Sequence, residues 1–331
     1  MPGIIRIVLQ SLSFNRKPVL YQVLIIVLLS AVITGSLLTG KSVKMSLRKS
    51  ASEHLGKTDF LISTGIRYFD QELVNRMRDS THISCSGILE INGYCQEMNS
   101  QKVVLNTHIY GIGKDFFIFQ GDDSTALKDG EVAINKRLAD NLGIKRGDDL
   151  IIRFKEISSI PADAPFASGD KSGRSIVMKV AIILEPSQAG NFSLSITQIT
   201  PLNIFVNLSD LEKDSNESFK INRLLIKRSN DYSIKEVSEA LKYNLKPADI
   251  GLELRSIKKT GEEELFSDRI FIDEANIKKI QEIIPTSSPV LTYLGNRFEF
   301  KNRSTPYSFV SAIPSALYPE IAGGNGMIIN E

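Results

Sequence analysis

The sequence predicts an α+β fold, with a single N-terminal transmembrane helix followed by a two-lobed extracytoplasmic α+β domain. Three observations predict it. One uncharged apolar run of bilayer length lies near the N-terminus. Beyond it, short β-type runs alternate with short amphipathic helical ones. Charge is nearly balanced, at 40 basic against 38 acidic residues, which argues against a nucleic-acid partner, since that would need a basic stripe.

Residues 1–18 read as a cytoplasmic interfacial segment. Ile4, Ile5, Val8, Leu9 and Leu12 recur at helical spacing, ahead of Asn15, Arg16, Lys17 and Pro18. Such a stretch suits a helix lying on the inner leaflet, with membrane lipid as its partner. Residues 19–39 read as the transmembrane helix. Val19 to Leu38 is VLYQVLIIVLLSAVITGSLL, with no charge and one amide, Gln22. A bilayer core needs about 20 apolar residues as a helix, whereas a secretory signal has a core of about 7–15. Leu37, Leu38 and Thr39 before Gly40 also make a poor cleavage site. The run therefore reads as a retained anchor in the cell (inner) membrane.

Flanking charge says little about orientation. Arg6, Arg16 and Lys17 precede the run, and Lys41, Lys44, Arg48 and Lys49 follow it. Large domains translocate largely regardless of such charges, so the N-terminus is placed inside and the bulk outside.

Residues 40–56 read as a helical stalk, with Val43, Leu47, Ala51 and Leu55 on one face and Gly56 as terminator. Residues 57–331 form the extracytoplasmic domain, with an inserted lobe at about 174–285. Asp59–Ser63 reads as a strand, and Phe69–Arg78 as a helix capped by Asp70 with Leu73, Val74 and Met77 apolar. Two β runs, Ile83–Ile91 and Lys102–Tyr110, flank the turn-prone Met98-Asn99-Ser100. The clearest unit is EVAINKRLADNLGIKRGDDLIIRF, Glu131 to Phe154. Val132–Ile134 is a strand, and Asn135 caps a helix that buries Leu138 and Leu142. Gly143 closes that helix, and Gly147-Asp148 turns into the strand Leu150–Phe154. Pro161–Gly173 reads as a loop. Strands follow at Ile176–Leu184, Ile204–Asn207 and Arg223–Lys227. A helix Ile234–Leu245 opens with the capping box Ser233-x-x-Glu236, and a last helix spans Ile272–Ile284 before Pro285.

A faint repeat links Val132-Ala133-Ile134-Asn135 to Met327-Ile328-Ile329-Asn330, the second copy starting just before the chain stops. The expectation from this is a longer natural protein of which the chain is a part. Of the chemistry-bearing residues, only Cys85, Cys95, His54, His82 and His108 are candidate soft ligands, and their spacing fits no zinc or haem site. Cys85 and Cys95 are open to two readings, a disulfide or two free thiols on neighbouring β segments.

Three motif matches lack their context. Gly35–Ser42, GSLLTGKS, spells a phosphate-loop pattern but follows a membrane-length run, not a short buried strand. Ser46-x-x-Lys49 with Lys259-Thr260-Gly261 spells two thirds of the penicillin-binding signature, without the intervening Ser-x-Asn. Ser256 is the other serine weighed as a hydrolase nucleophile. No catalytic, cofactor-binding or metal-ligating residue is assigned, and no cofactor is expected.

Four stretches carry a family resemblance. They are Ala31–Ile62 (AVITGSLLTGKSVKMSLRKSASEHLGKTDFLI), Glu131–Phe154, Glu264–Ile272 (ELFSDRIFI), and Pro289–Ile313 with its Thr292-Tyr293-Leu294 and Ser304–Val310. In these the chain resembles the extracytoplasmic ("periplasmic core") region of ABC-transporter permeases of the MacB/FtsX type. The resemblance implies an ATP-binding ABC subunit as cytoplasmic partner and a lever in place of a catalytic site. Self-association is a further partner expectation for the chain. It implies one lobe built from about Thr58–Ile157 with the returning Pro289–Glu331, and a second from about Arg174–Pro285. It also implies further spans beyond the outer domain. Lys41 departs from the family pattern, which has an acidic or small residue there. The alternative reading is a single-span membrane-anchored sensor or binding module.

Overall fold

The computed structural model describes residues 2–65, 67–98, 100, 102–155, 173–195, 199–212, 219–227, 232–259, 261–267, 272–301 and 303–314. The chain opens with helix α1 (Pro2–Phe14), breaks at Asn15, and enters α2 (Arg16–Leu55). Pro18 falls in the first turn of α2, where a missing N–H costs nothing. The expected span and stalk form one uninterrupted helix of 40 residues, about 60 Å long.

The elements that follow are β1 (Phe60–Ser63), β2 (Phe69–Asp70), α3 (Glu72–Ser80), β3 (Cys85–Glu97), β4 (Val103–Ile112) and α4 (Phe116–Gln120). Next come β5 (Glu131–Asn135), α5 (Lys136–Leu142), β6 (Asp149–Lys155), β7 (Gly173–Leu184), β8 (Asn203–Asn207) and α6 (Leu208–Leu211). Then follow β9 (Lys220–Ile221), β10 (Arg223–Ile226), α7 (Ile234–Asn244), β11 (Leu252–Ile257) and β12 (Glu262–Ser267). The described part closes with α8 (Glu274–Ile283), β13 (Leu291–Phe300) and β14 (Arg303–Ala312).

Eight strands form the main sheet in the order β1-β10-β3-β4-β8-β5-β7-β6, and β6 also pairs back onto β3. Six strands thus close a ring, β3-β4-β8-β5-β7-β6, while β1 and β10 extend from the first half of β3. Ring closure removes open edges, which are otherwise a liability for unwanted pairing. Two parallel pairings, β4 with β8 and β5 with β7, sit among antiparallel ones.

Both faces of the sheet are buried, and period-two alternation divides the side chains between them. Leu89, Ile109, Ile134, Ile204, Val206, Leu224 and Ile226 enter one core with Leu73, Val74 and Met77 of α3, Leu138 and Leu142 of α5, and Val237 of α7. Ile88, Tyr110, Ile112, Ala133, Phe205 and Leu225 enter a second core with Phe116, Phe117, Phe119 and Phe192.

The Glu131–Phe154 unit has the expected strand, helix and strand. Asn135 Oδ1 accepts from Leu138 N at 3.2 Å, and Gly143 takes φ 75° at the C-terminus of α5. Asn135 also reaches across to β8. Its Oδ1 accepts from Asn203 N at 3.2 Å and its Nδ2 donates to Pro201 O at 2.8 Å. The capping box of α7 is present with both Ser233 and Glu236 engaged.

Several expectations change. The helix expected from Phe69 starts at Glu72, because Phe69 and Asp70 pair with Ile221 and Lys220 as a short ladder. Asp70 still serves the helix start, accepting from Glu72 N at 2.8 Å. The boundary expected near residue 174 does not separate two sheets. β7, β8 and β10 hydrogen-bond directly with β3, β4, β5 and β6, since the edges of these strands need partners. Two hairpins, β11–β12 and β13–β14, pair only within themselves. Ion pairs link the later elements to the sheet side. Arg76 of α3 pairs with buried Asp249 and donates to Asn244 O, and Arg67 pairs with Asp273, at 2.7 Å through Nη2. Residues 161–172 of the expected loop and the second repeat at 327–330 lie outside the described residues.

Asn135→Ala is expected to cost about 2–3 kcal/mol, combining a lost cap with buried partners left unpaired. Asn135→Asp, which keeps the Oδ1 acceptor, should recover part of it. Denaturant unfolding followed by tyrosine fluorescence measures both.

Candidate functional site

The site is a joint, where the C-terminus of α2 meets the sheet. Most of α2 is exposed, but one side of its last turn packs into the domain. His54 is buried, while Ser50, Ala51 and Leu55 are half-buried. A helix ends with unpaired carbonyls. Here the domain supplies partners. Ser193 N donates to His54 O at 2.9 Å, and Thr58 N donates to Leu55 O at 3.1 Å. Gly56 then turns the chain with φ 59° and ψ −121°, a conformation that a side chain strongly disfavours. Lys57 N donates to Gln120 Oε1 at 2.9 Å. Asp59 N donates to Ile226 O at 3.0 Å, which delivers the chain into β1 beside β10.

The floor of the joint is aromatic. Gln120 ends α4, whose Phe116, Phe117 and Phe119 are buried, and Ser193 follows buried Phe192. Tyr110 lies 5.3 Å from both Phe192 and Phe205, ring centroid to centroid, and Phe116 lies 5.4 Å from Phe192. Such edge and offset contacts prefer defined orientations, so the floor resists deformation. Two polar atoms at the joint, Thr58 Oγ1 and Gln120 Nε2, are buried with no protein partner among the described residues. Unpaired buried groups carry a free-energy cost, and these two sit where α2 meets the sheet.

The residues weighed for chemistry do not come together. Gly35–Ser42 is helical throughout, so its amides serve the helix and form no phosphate cradle. Ser46 and Lys49 are exposed on α2, Ser256 is exposed on β11, and Thr260 lies outside the described residues. His54 lies on α2, His108 on β4 and His82 between α3 and β3, and among the described residues no group of three His, Cys, Asp or Glu could hold a metal. Cys85 and Cys95 are free, buried, and ten residues apart on β3. That places them about 30 Å apart along one strand, far beyond the roughly 4.4–6.8 Å that a disulfide spans. Burial pushes the Cys85 thiol up to about 11 and the Cys95 thiol up to about 12. Both are therefore protonated and inert at neutral pH.

One titratable group stands out. Glu212, just past α6, is buried. Burial pushes its carboxyl up to about 7, with Asp70 adding to the shift while the Lys220 backbone and Arg174 oppose it. Lys220 N donates to both carboxyl oxygens, at 3.0 and 3.1 Å, which clips β9 against the end of α6. Sequence patterning held no signal for this group, since an isolated Glu after a short helix reads as surface.

The sequence matches no protein-family model and no curated protein. Among solved structures, the chain is similar to the periplasmic region of MacB from Actinobacillus actinomycetemcomitans, at 12% identity and TM-score 0.40. That alignment covers 74% of this chain and 100% of the other. It is also similar to the extracellular domain of the noncanonic ABC-type transporter YknZ from Gram-positive bacteria, at 10% identity and TM-score 0.33. That alignment covers 52% of this chain and 78% of the other.

Gly56→Ala is expected to loosen the joint, since a Cβ there would meet Gln120 Oε1 at 2.2 Å and force a strained φ. A loss of about 1–3 kcal/mol is expected, read as faster hydrogen exchange at Lys57–Asp59. Glu212 gives a pH signature. Its folded value lies above its ordinary 4.5, so the folded state holds the proton more tightly. Its contribution to stability is fully present below pH 4.5 and is lost as pH rises through 7. Glu212→Gln should flatten the thermal midpoint between pH 5 and 8 relative to the wild type, a comparison made by melting both proteins across that range.

Proposed function

We propose that the chain is a permease subunit of an ABC transporter. In this reading it transmits ATP-driven motion of a cytoplasmic partner to its extracytoplasmic domain, for export or release of a substrate. The observation that carries the reading is the continuity of α2. Its apolar window has mean hydropathy 2.4 and is nowhere buried, and α2 is the one helix among the described residues long and apolar enough to cross a membrane. The same helix runs without a break to its seat on the aromatic floor. A displacement of the span therefore has no flexible linker in which to dissipate.

The four sequence stretches that resemble MacB/FtsX-type permeases support the same reading. It places the protein in the cell membrane, α1 on the inner leaflet and the sheet outside. The ATP-binding partner performs the hydrolysis, and this chain performs no chemistry of its own.

Purified from its native membrane, the full chain is expected to bring with it an ATP-hydrolysing subunit. Trapping that subunit with vanadate should change the proteolysis pattern of the outer domain. Inserting Gly-Ser-Gly after Gly56 should abolish that change and leave hydrolysis intact. A chain that migrates alone on a blue-native gel, with no associated ATP hydrolysis, overturns the reading.

A further inference from the structure

The first acidic residue of the chain is Glu53, and the 52 residues before it carry seven basic side chains and no acid. Three of the seven precede the apolar run. The other four, Lys41, Lys44, Arg48 and Lys49, follow it, on the side where positive charge gains nothing from the usual inward bias. Lys49 is engaged by Glu53 at 3.9 Å. Lys41, Lys44 and Arg48 have no acidic partner among the described residues, and all three are exposed on α2.

Their spacing is i, i+3, i+7, which places them on one face of a helix. Counting from Leu38 at the rise of an α-helix, Lys41 stands about 5 Å, Lys44 about 9 Å and Arg48 about 15 Å further along. The headgroup layer on each side of a bilayer is roughly 5–8 Å deep. Every Cα–Cβ bond of a helix tilts toward its N-terminus, which for α2 is the membrane side. The long stems of these side chains thus carry their charges back toward the lipid phosphates, with the methylenes lying along the apolar boundary.

The geometry points to a lipid site on the outer face of the membrane, in which Lys41, Lys44 and Arg48 hold the anionic phosphate headgroups of the outer leaflet. The inference rests on α2 spanning the bilayer. It gives a role to Lys41, the position that departs from the family pattern. Its consequence is a fixed depth for α2, so that the joint above it stands at a constant height over the surface. Charge complementarity selects the occupant, because an uninterrupted positive stretch beside a membrane favours anionic over zwitterionic lipid.

The test uses the full chain in membranes of equal phosphatidylglycerol and phosphatidylcholine, extracted gently and read by native mass spectrometry. The wild type should retain phosphatidylglycerol over phosphatidylcholine by roughly tenfold or more, given about fivefold for each cation near the surface. Lys41→Gln/Lys44→Gln/Arg48→Gln should lose most of that preference. Glutamine keeps the helix, and these exposed positions support no packing, so the variant folds. Arg6→Gln/Arg16→Gln/Lys17→Gln should keep a bound phosphatidylglycerol population. A triple variant at 41, 44 and 48 with the wild-type preference overturns the lipid site and leaves the span standing. Release of the wild type by alkaline carbonate overturns the span, and the lipid site with it.

Discussion

β3 carries more pairing than any other strand, and the architecture depends on how it divides its edges. One edge pairs with β4 from Ile88 to Gln96. The other pairs with β10 at Cys85–Ile88 and with β6 at Gly93–Glu97. The change of partner needs a position where two backbones approach closely. Gly93 provides it, since a Cβ there would sit 2.4 Å from Arg153 O and 2.6 Å from Ile109 Cδ1. The register with β4 shifts between Gly93 and Cys95, at the same place. Without a glycine there, β6 could not close the ring, and β5, β7 and β8 would lose the closure that joins them to β3. The ring in turn fixes the second core, and the second core is the floor on which α2 ends.

Coupling across the joint follows from backbone bonds more than from side chains. His54 O, Leu55 O, Lys57 N and Asp59 N all find partners within a few residues of the turn. Three of these bonds are backbone to backbone and do not depend on side-chain identity, while the fourth needs the Gln120 amide oxygen. The aromatic floor adds stiffness from beneath. Charged links at Arg76–Asp249 and Arg67–Asp273 tie in the later elements, the first buried and the second half exposed. The buried one has Lys246 N as a further donor to Asp249, so it is the firmer of the two.

Much of this was legible in the sequence where local chemistry is strong. The Glu131–Phe154 unit was readable because caps, glycine and alternation agree there. The span was readable because twenty uncharged residues leave few alternatives. The lobe boundary near 174 was not, because pairing between distant strands leaves no local mark. β8 has five residues, all buried, and its parallel partner β4 is distant in sequence. Nor were β13 and β14 assigned as strands, although Thr, Tyr and Phe enrich them, since Gly295 and Pro306 interrupt the pattern. The joint itself was half visible. Gly56 announced a helix end, but its partners Gln120 and Ser193 are contributed by segments with no patterning of their own.

The length of α2 sets a scale for what a small motion can achieve. A rod of about 60 Å that tilts by about 10° carries its far end sideways by about 10 Å, and transmembrane helices commonly tilt by about 20°. The outer sheet rides on that far end. A tilt within that ordinary range therefore becomes a displacement comparable to the width of a strand pair. The amplification is a matter of geometry alone, and the unbroken length of α2 sets its size.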